Sequence, residues 1–363
     1  MCIRGAHLED GAEHDAAHLS WSRRQFLRGL AMAGGAISLG AAGVPVSAAS
    51  SRSLERALLN SDPDKVFVLI QLAGGNDGLN TVLPLGNDLY HRARGGLAIS
   101  DVQAIDLGGG VGLHPSLAAW ESLYKDGRLG IVQNVGYENP ALSHFVSTDI
   151  WMSGQAEAEP SGTGWPGRYL EHAHPDYLAT PPDSPVALQV GASGSMLFQG
   201  NAGSMGVTFP STSALTRLAQ GGAVYDTEDV PDGILGQELA FVRNISNHSF
   251  GHAESIKDAY DTGRNTRSYP GGNSLSDSLR TVARLIRGGL GARVYHVSLG
   301  GFDTHANQQG THATLLRRLG DATAAFMADL AADGHSEHVV AMTFSEFGRR
   351  IRANGSAGTD HGT

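Results

Sequence analysis

The chain has 363 residues, with 26 Lys and Arg against 36 Asp and Glu, a formal net charge of −10. That length can bury a large core, and 41% hydrophobic with 17% charged residues excludes disorder for the bulk of it. The acidic balance argues against nucleic acid and anionic membrane surfaces as partners, but a bound metal can reverse the local field, so phosphate and sulfate groups stay open.

The N-terminus is an address. Ser22-Arg23-Arg24-Gln25-Phe26-Leu27 has the form of a twin-arginine export signal, followed by a Gly/Ala-rich apolar stretch from Leu30 to Val46 and a small-residue cleavage site at Val46-Ser47-Ala48. The stretch falls short of the ~20 strongly apolar residues of a spanning helix, so no stable membrane anchor is expected. The expectation is a periplasmic or secreted protein whose partner during export is the twin-arginine translocase. Residues 1–48 hold as many acidic as basic groups, so removing them keeps the net charge of −10 and discards the single cysteine, Cys2. No intrachain disulfide and no CxxC motif is then available.

After a polar linker at 49–64, Lys65–Leu72 is a continuous apolar run suited to a strand buried on both faces. It breaks into Gly74-Gly75-Asn76-Asp77-Gly78. A helix is predicted over Pro115–Lys125 and a second strand over Leu129–Val135. Residues 155–270 are rich in Gly, Ser, Pro and Asn, with short strand candidates at Val186–Val190 and Met205–Phe209 and a helix near Gly236–Asn247. This stretch reads as an elaboration on the sheet within one domain at 65–363. A helix over Leu275–Arg287 leads into a third strand, Ala292–Leu299. A long amphipathic helix from about Thr311 to Ala332 leads into a fourth, His338–Phe344. Strands alternating with helices predict an α/β fold with a largely parallel sheet.

Ligands of such sheets sit beyond the carboxyl ends of the strands. Each long strand here runs into polar residues able to bind metal: Asn76 and Asp77 after the first, and Asn134, Asn139 and Leu142-Ser143-His144 after the second. The third is followed by Asp303, Thr304, His305 and Asn307, the fourth by Ser345, Glu346 and Arg349, and the sequence ends in Thr359-Asp360-His361-Gly362-Thr363. Imidazole favours Zn²⁺ or Mn²⁺, and oxygen-rich sites favour Ca²⁺ or Mg²⁺. Each residue also has a plainer role. Asp77 suits a turn or N-cap, Ser143 suits a helix cap, and Glu346 could pair with Arg349 or Arg350. The repetition at four strand ends, rather than any one residue, points to a site.

GGNDGLNTVLP, SHFVSTDIW, GGFDTH, TFSEFGRR and GTDHGT, spread in order from Val66 to Thr363, resemble an uncharacterised family of twin-arginine-exported proteins placed in the alkaline phosphatase–sulfatase superfamily. That resemblance implies a three-layer sandwich around a largely parallel sheet and a binuclear divalent-metal site. It implies Asp77 as a ligand of one ion, Ser143 as the nucleophile heading a helix, and Asp303 with His305 serving the other ion, with Asn307 competing for the place of His305. The Asp-His pair of the superfamily falls either on Asp360-His361 or, at the strand end, on Glu346-Phe347, with His361 as the later histidine. The second placement is preferred, and Phe347 then removes a nitrogen ligand from one ion. A strand should follow the His-Gly segment, so a C-terminally truncated domain is expected. With no Cys in the mature chain and no modification motif at Ser143, formylglycine sulfatase chemistry is not expected.

The implied activity is metal-assisted hydrolysis or transfer at a small anionic phosphate or sulfate ester. Ser143 would attack, Asp77, Asp303, His305, Glu346, Asp360 and His361 would hold metal, and Arg349 would contact the anionic group. His144, adjacent to Ser143, is set aside as pointing elsewhere. The alternative is a non-catalytic exported protein that binds metal or a glycan on a degenerate hydrolase scaffold. A Ser-His-Asp hydrolase lacks support, since no G-x-S-x-G elbow surrounds Ser143.

Overall fold

The apolar run after Lys65 forms β1 (Val66–Ala73), whose residues 68–72 are all buried. The computed structural model describes residues 65–155, 162–177, 180–191, 195–210 and 251–362, with positions 226, 230, 231 and 239. The export signal and the linker lie outside the described residues, as does the helix expected near Gly236–Asn247 except for residue 239, which is helical. Helix α1 (Gly78–Thr81), β2 (Val82–Pro84), α2 (Asp88–Arg94), β3 (Ile105–Gly108), β4 (Val111–Leu113) and α3 (Ala118–Lys125) follow β1. Next come α4 (His144–Ser153), α5 (Trp165–Ala173), β5 (Ala187–Val190) and β6 (Val207–Phe209). A helical stretch at 251–262 precedes α6 (Ser274–Arg287), β7 (Val294–Gly300), α7 (Gln308–Ala331) and β8 (Val339–Phe344). The two-residue strands β9 (Gly348–Arg349) and β10 (His361–Gly362) complete the order.

The main sheet has five strands in the order β6-β5-β7-β1-β8, and every pairing is parallel. This agrees with the α/β expectation. Its period of two sorts β1 onto two cores. Val68, Ile70 and Leu72 join Leu279, Val282, Leu316 and Phe326 of α6 and α7 on one face. Leu69 joins Met152 of α4, Leu170 of α5 and Leu197 on the other. Each such aliphatic side chain, fully buried, stabilises by about 1.5–3 kcal/mol, which explains why the predominantly apolar runs became inner strands. Helices therefore pack on both faces. No helix among the described residues is long and apolar enough to cross a membrane.

Two of the five strands, β5 and β6, come from the 155–270 stretch, which joins the main sheet where it is described. The expected strand at Leu129–Val135 is not one: the segment carries no strand pairing, and Val132 and Val135 are 62% and 40% exposed. Asn134 there adopts a left-handed backbone, φ 57°, incompatible with a regular strand. The apolar residues mislead because only Leu129 and Ile131 reach the core. A small antiparallel sheet, β2-β4-β3, closes over Leu83, Tyr90 and Ile99 beside α2.

The C-terminal half of α7 is pinned by Asp329, fully buried. It accepts hydrogen bonds from Asn265 Nδ2, the Thr266 amide and hydroxyl, Tyr269 OH and Arg287, whose Nη1 lies 3.0 Å away. Burial pushes its carboxyl up, but the hydrogen bonds from Asn265, Thr266 and Tyr269 outweigh it and hold the pKa below the usual value. Asp329→Ala is expected to lower the unfolding free energy by about 1–3 kcal/mol in urea titrations, since it leaves the donors of Asn265, Thr266 and Tyr269 without their acceptor, while Arg287 keeps its ion pair with Asp333 at 2.7 Å. A depressed folded pKa means the stabilisation is complete above the unfolded carboxyl value of about 3.9 and lost as pH falls through the folded one. The gap between wild type and Asp329→Ala should therefore shrink in acid.

Candidate metal centre

The carboxyl ends of β1, β7 and β8 meet where Gly74 and Gly75 leave β1. Gly74, at φ 118°, leaves no room for a side chain: a Cβ would sit 2.4 Å from the Asp303 amide nitrogen. At Gly75 a Cβ would strike the Phe347 ring at 2.3 Å. The close approach lets the segments after all three strands share one small space.

Three imidazoles surround the Asp303 carboxylate there. His305 Nε2 lies 2.9 Å and His361 Nε2 3.1 Å from its Oδ1, and His144 Nε2 lies 3.5 Å from its Oδ2. The Nε2 atoms of His305 and His361 face each other at 2.9 Å. Each ring is turned by an acceptor behind it. His361 Nδ1 donates to the Leu142 carbonyl at 2.8 Å, His144 Nδ1 meets Glu346 Oε1 at 2.8 Å, and His305 Nδ1 faces Asp360 Oδ1 at 3.5 Å. A carbonyl only accepts, so His361 carries its proton on Nδ1; a carboxylate asks the same of the other two. In their neutral forms all three rings then turn Nε2 lone pairs toward a carboxylate.

Four acceptors cannot crowd together uncompensated. Either the rings charge or a cation sits among them. The donors of His144, Asp303 and His361 lie within 4.8 Å of one another. Atoms bound to tetrahedral zinc at about 2.0–2.1 Å lie about 3.3 Å apart, and the three contacts of the rings with Asp303 span 2.9–3.5 Å. Hydrogen-bonded Nδ1 atoms behind Nε2 donors are what metal-holding histidines ordinarily have. The residues present fit a divalent ion with a nitrogen-rich shell.

The surroundings hold this geometry. Burial pushes the Asp303 carboxyl up, yet the hydrogen bond from Arg349 and, when the rings are protonated, the hydrogen bond from His361 and the charge of His305 bring it down to about 2, so it stays ionised. The hydrogen bond from Asn354 Nδ2, at 3.1 Å, keeps Asp360 below the usual carboxylate range. Glu346, 2% exposed, also takes the Gly74 amide at 2.7 Å. Phe347 packs against both His144 and His361, with ring centroids 4.9 and 4.4 Å apart. The antiparallel pairing of β9 with β10 sets His361 opposite Arg349. Leu142, at φ 52°, occupies the left-handed region that costs a leucine about 1–2 kcal/mol, and its carbonyl receives the His361 proton.

Of the residues nominated from sequence, Asp303, His305 and His361 face the shared centre. Glu346 and Asp360, expected as ligands, stand one layer behind, against His144 and His305. Asp77, expected to join the group, is drawn off elsewhere. Arg94 Nη1 and Nη2 bind both its oxygens, Gln308 donates to one of them, and Asp77 caps α1. Asn307 begins α7 and gives its amide to the Ser356 carbonyl. Arg349 was expected to reach an anionic substrate, but its side chain has no exposed surface. Its Nε donates to Gly75 O, Nη1 to Thr359 O, and Nη2 to Gly74 O, Phe302 O and Asp303. Ser143 occupies the N-cap position of α4 without its hydroxyl capping the helix. It lies between Leu142 and His144, both of which touch the cluster. His144, named among the strand-end residues and then set aside as pointing elsewhere, faces the centre instead. No spacing rule selects it, and the clue was only that a ring at the first position of a helix points away from a residue at the cap.

Residues 251–363 match the profile of a family described as protein of unknown function (DUF1501). The DUF1501 segment carries Asp303, His305, Glu346, Arg349, Asp360 and His361, and leaves His144 and Ser143 outside it. No curated protein and no solved structure matches the chain.

Each buried carbonyl deprived of its donor costs about 1–3 kcal/mol. Arg349→Leu, which strands several, should therefore either prevent folding or move the urea midpoint sharply down. Arg349→Lys should fall between it and wild type, because an ammonium cannot reach all these acceptors from one position.

Proposed function

We propose that the chain is an exported hydrolase or transferase that acts on a phosphate or sulfate ester with one divalent ion held by His144, Asp303, His305 and His361. The observation that carries this reading is the convergence of three Nδ1-tethered imidazoles on one carboxylate. Three nitrogens and one oxygen suit Zn²⁺ or Mn²⁺ better than Ca²⁺ or Mg²⁺. A single ion is favoured because Phe347 covers two of the rings and Asp77 is engaged by Arg94. A finer fold assignment to the alkaline phosphatase–sulfatase superfamily is supported by the parallel sheet and by the position of the centre at its carboxyl edge. Export by the twin-arginine route rests on the Ser22–Leu27 motif.

When bound, the ion would lower the pKa of a coordinated oxygen and offset charge on the ester oxygens. The protein's own groups do the rest. Glu346, Asp360 and the Leu142 carbonyl hold protons on Nδ1 and so keep each Nε2 available. Arg349 orients Asp303 and keeps it ionised. Ser143, its hydroxyl free of capping, is the nucleophile, and the positive end of α4 favours an anionic group beside it.

The binding-protein alternative keeps one specific support. With Arg349 fully engaged by backbone, no guanidinium in the cluster is left to grip an ester.

Metal-stripped protein reconstituted with Zn²⁺ or Mn²⁺ should retain one equivalent by elemental analysis. Glu346→Gln should weaken that affinity about 10–100-fold through loss of the tether on His144. Ser143→Ala should keep the metal and lose turnover of aryl phosphate or sulfate esters. Full turnover in that variant would remove Ser143 from the mechanism, and metal retention without turnover on any ester would favour the binding reading.

A further inference from the structure

We propose that Arg350, with Arg352 beside it, selects substrates that carry a second oxyanion (a phosphate, sulfate or carboxylate group) apart from the one at the metal centre. This rests on the reading of a divalent ion among His144, Asp303, His305 and His361, and adds to it a second anchor for the ligand.

The sequence sets three arginines within four positions, Arg349-Arg350-Ile351-Arg352, in a chain of net charge −10. Such a run ordinarily only solvates a loop, and its place in the fold is what distinguishes this one. Arg349 is buried and consumed by carbonyls and by Asp303. A strand alternates its faces, so Arg350 turns the other way, and Arg350, Ile351 and Arg352 are all exposed. Among the described residues the guanidinium groups of Arg350 and Arg352 have no hydrogen-bond or ion-pair partner.

The antiparallel pair β9–β10 fixes where Arg350 stands. With Gly362 opposite Gly348 and His361 opposite Arg349, the next pair is Asp360 with Arg350, and the Arg350 amide donates to the Asp360 carbonyl at 3.0 Å. Residues so opposed share a face, with Cβ atoms about 4.5–5.5 Å apart. Asp360 is the carboxylate behind His305, so Arg350 flanks the metal centre on its His305 side. Asp360 is spent elsewhere: its Oδ1 takes the Asn354 Nδ2 hydrogen bond at 3.1 Å and faces His305 Nδ1 at 3.5 Å. The guanidinium thus keeps its fork of N–H donors, which fits an oxyanion bidentately. From Arg350 the path to the shared Nε2 atoms runs through Asp360 and the His305 ring, so the oxyanion it meets is not the one beside the ion. The side chains of Asp303, His305 and Asp360 are 45%, 44% and 48% exposed, which leaves this side open for a ligand on the ion to extend. Arg352 adds positive charge that draws such a ligand in.

Zinc-loaded full-length chain is titrated by calorimetry, at fixed ionic strength, with phenylphosphonate and with 4-phosphonobenzoate, its carboxylate-bearing analogue. Neither probe needs to be turned over. Wild type should bind the carboxylate-bearing probe about 3–10-fold more tightly. Arg350→Gln should lose that preference while keeping the wild-type zinc content, melting temperature and affinity for phenylphosphonate. Arg350→Lys should keep part of the preference. The preference without turnover of any ester would uphold this anchor and remove the hydrolase reading. Equal affinity for the two probes, an undiminished preference in Arg350→Gln, or no binding of either probe would overturn the proposal, even where esters are turned over.

Discussion

Five hydrogen bonds from the buried guanidinium of Arg349 tie together segments that leave three different strands: the Gly74 and Gly75 carbonyls after β1, Phe302 and Asp303 after β7, and Thr359 before β10. A parallel sheet brings its strand ends to one edge but does not by itself hold the loops there in register. Arg349 does so from the segment after β8, and its charge-assisted bond to Asp303 is stronger than a neutral one. The carboxylate around which the histidines gather is fixed in place and in charge state by that contact.

From this anchor the rest of the centre is a problem of tautomers. Each ring is held by one nitrogen so that the other is presented, and the three holders differ: a carboxylate buried under β1, a half-exposed carboxylate, and a backbone carbonyl. The last requires Leu142 to accept a left-handed conformation. Strain of this kind at a loop residue persists where the surroundings over-determine it, and here they are α4 on one side and the β9–β10 pair on the other. Phe347 seals the ring faces that the ligands do not use.

The sheet was legible from sequence because burial on both faces favours apolar runs: Val66–Ala73 follows that pattern with one polar residue, Val294–Gly300 interrupts it with His296 and Ser298, and Val339–Phe344 is apolar although it lies at the sheet edge and is largely exposed. Leu129–Val135 satisfies the same pattern without a partner strand, since composition reports apolarity but not pairing. The strand-end logic located the edge of the site and three residues that face its centre. It could not sort the residues that face the centre from the groups behind them, because Glu346 and Asp303 look alike in sequence and differ only in what stands between them and the centre. Asp77 was lost to a partner 17 residues away, Arg94, whose burial no local pattern signals. His144 was hidden for the opposite reason: its importance depends on where α4 begins, and helix starts are read less surely than helix interiors.

The central claim is that His144, His305, His361 and Asp303 form one nitrogen-rich coordination shell. X-ray absorption at the zinc edge of reconstituted protein tests it most directly. The account predicts three imidazole scatterers and one oxygen at about 2.0–2.1 Å, falling to two imidazoles in His144→Ala. An all-oxygen shell, or a spectrum unchanged by that substitution, would contradict it.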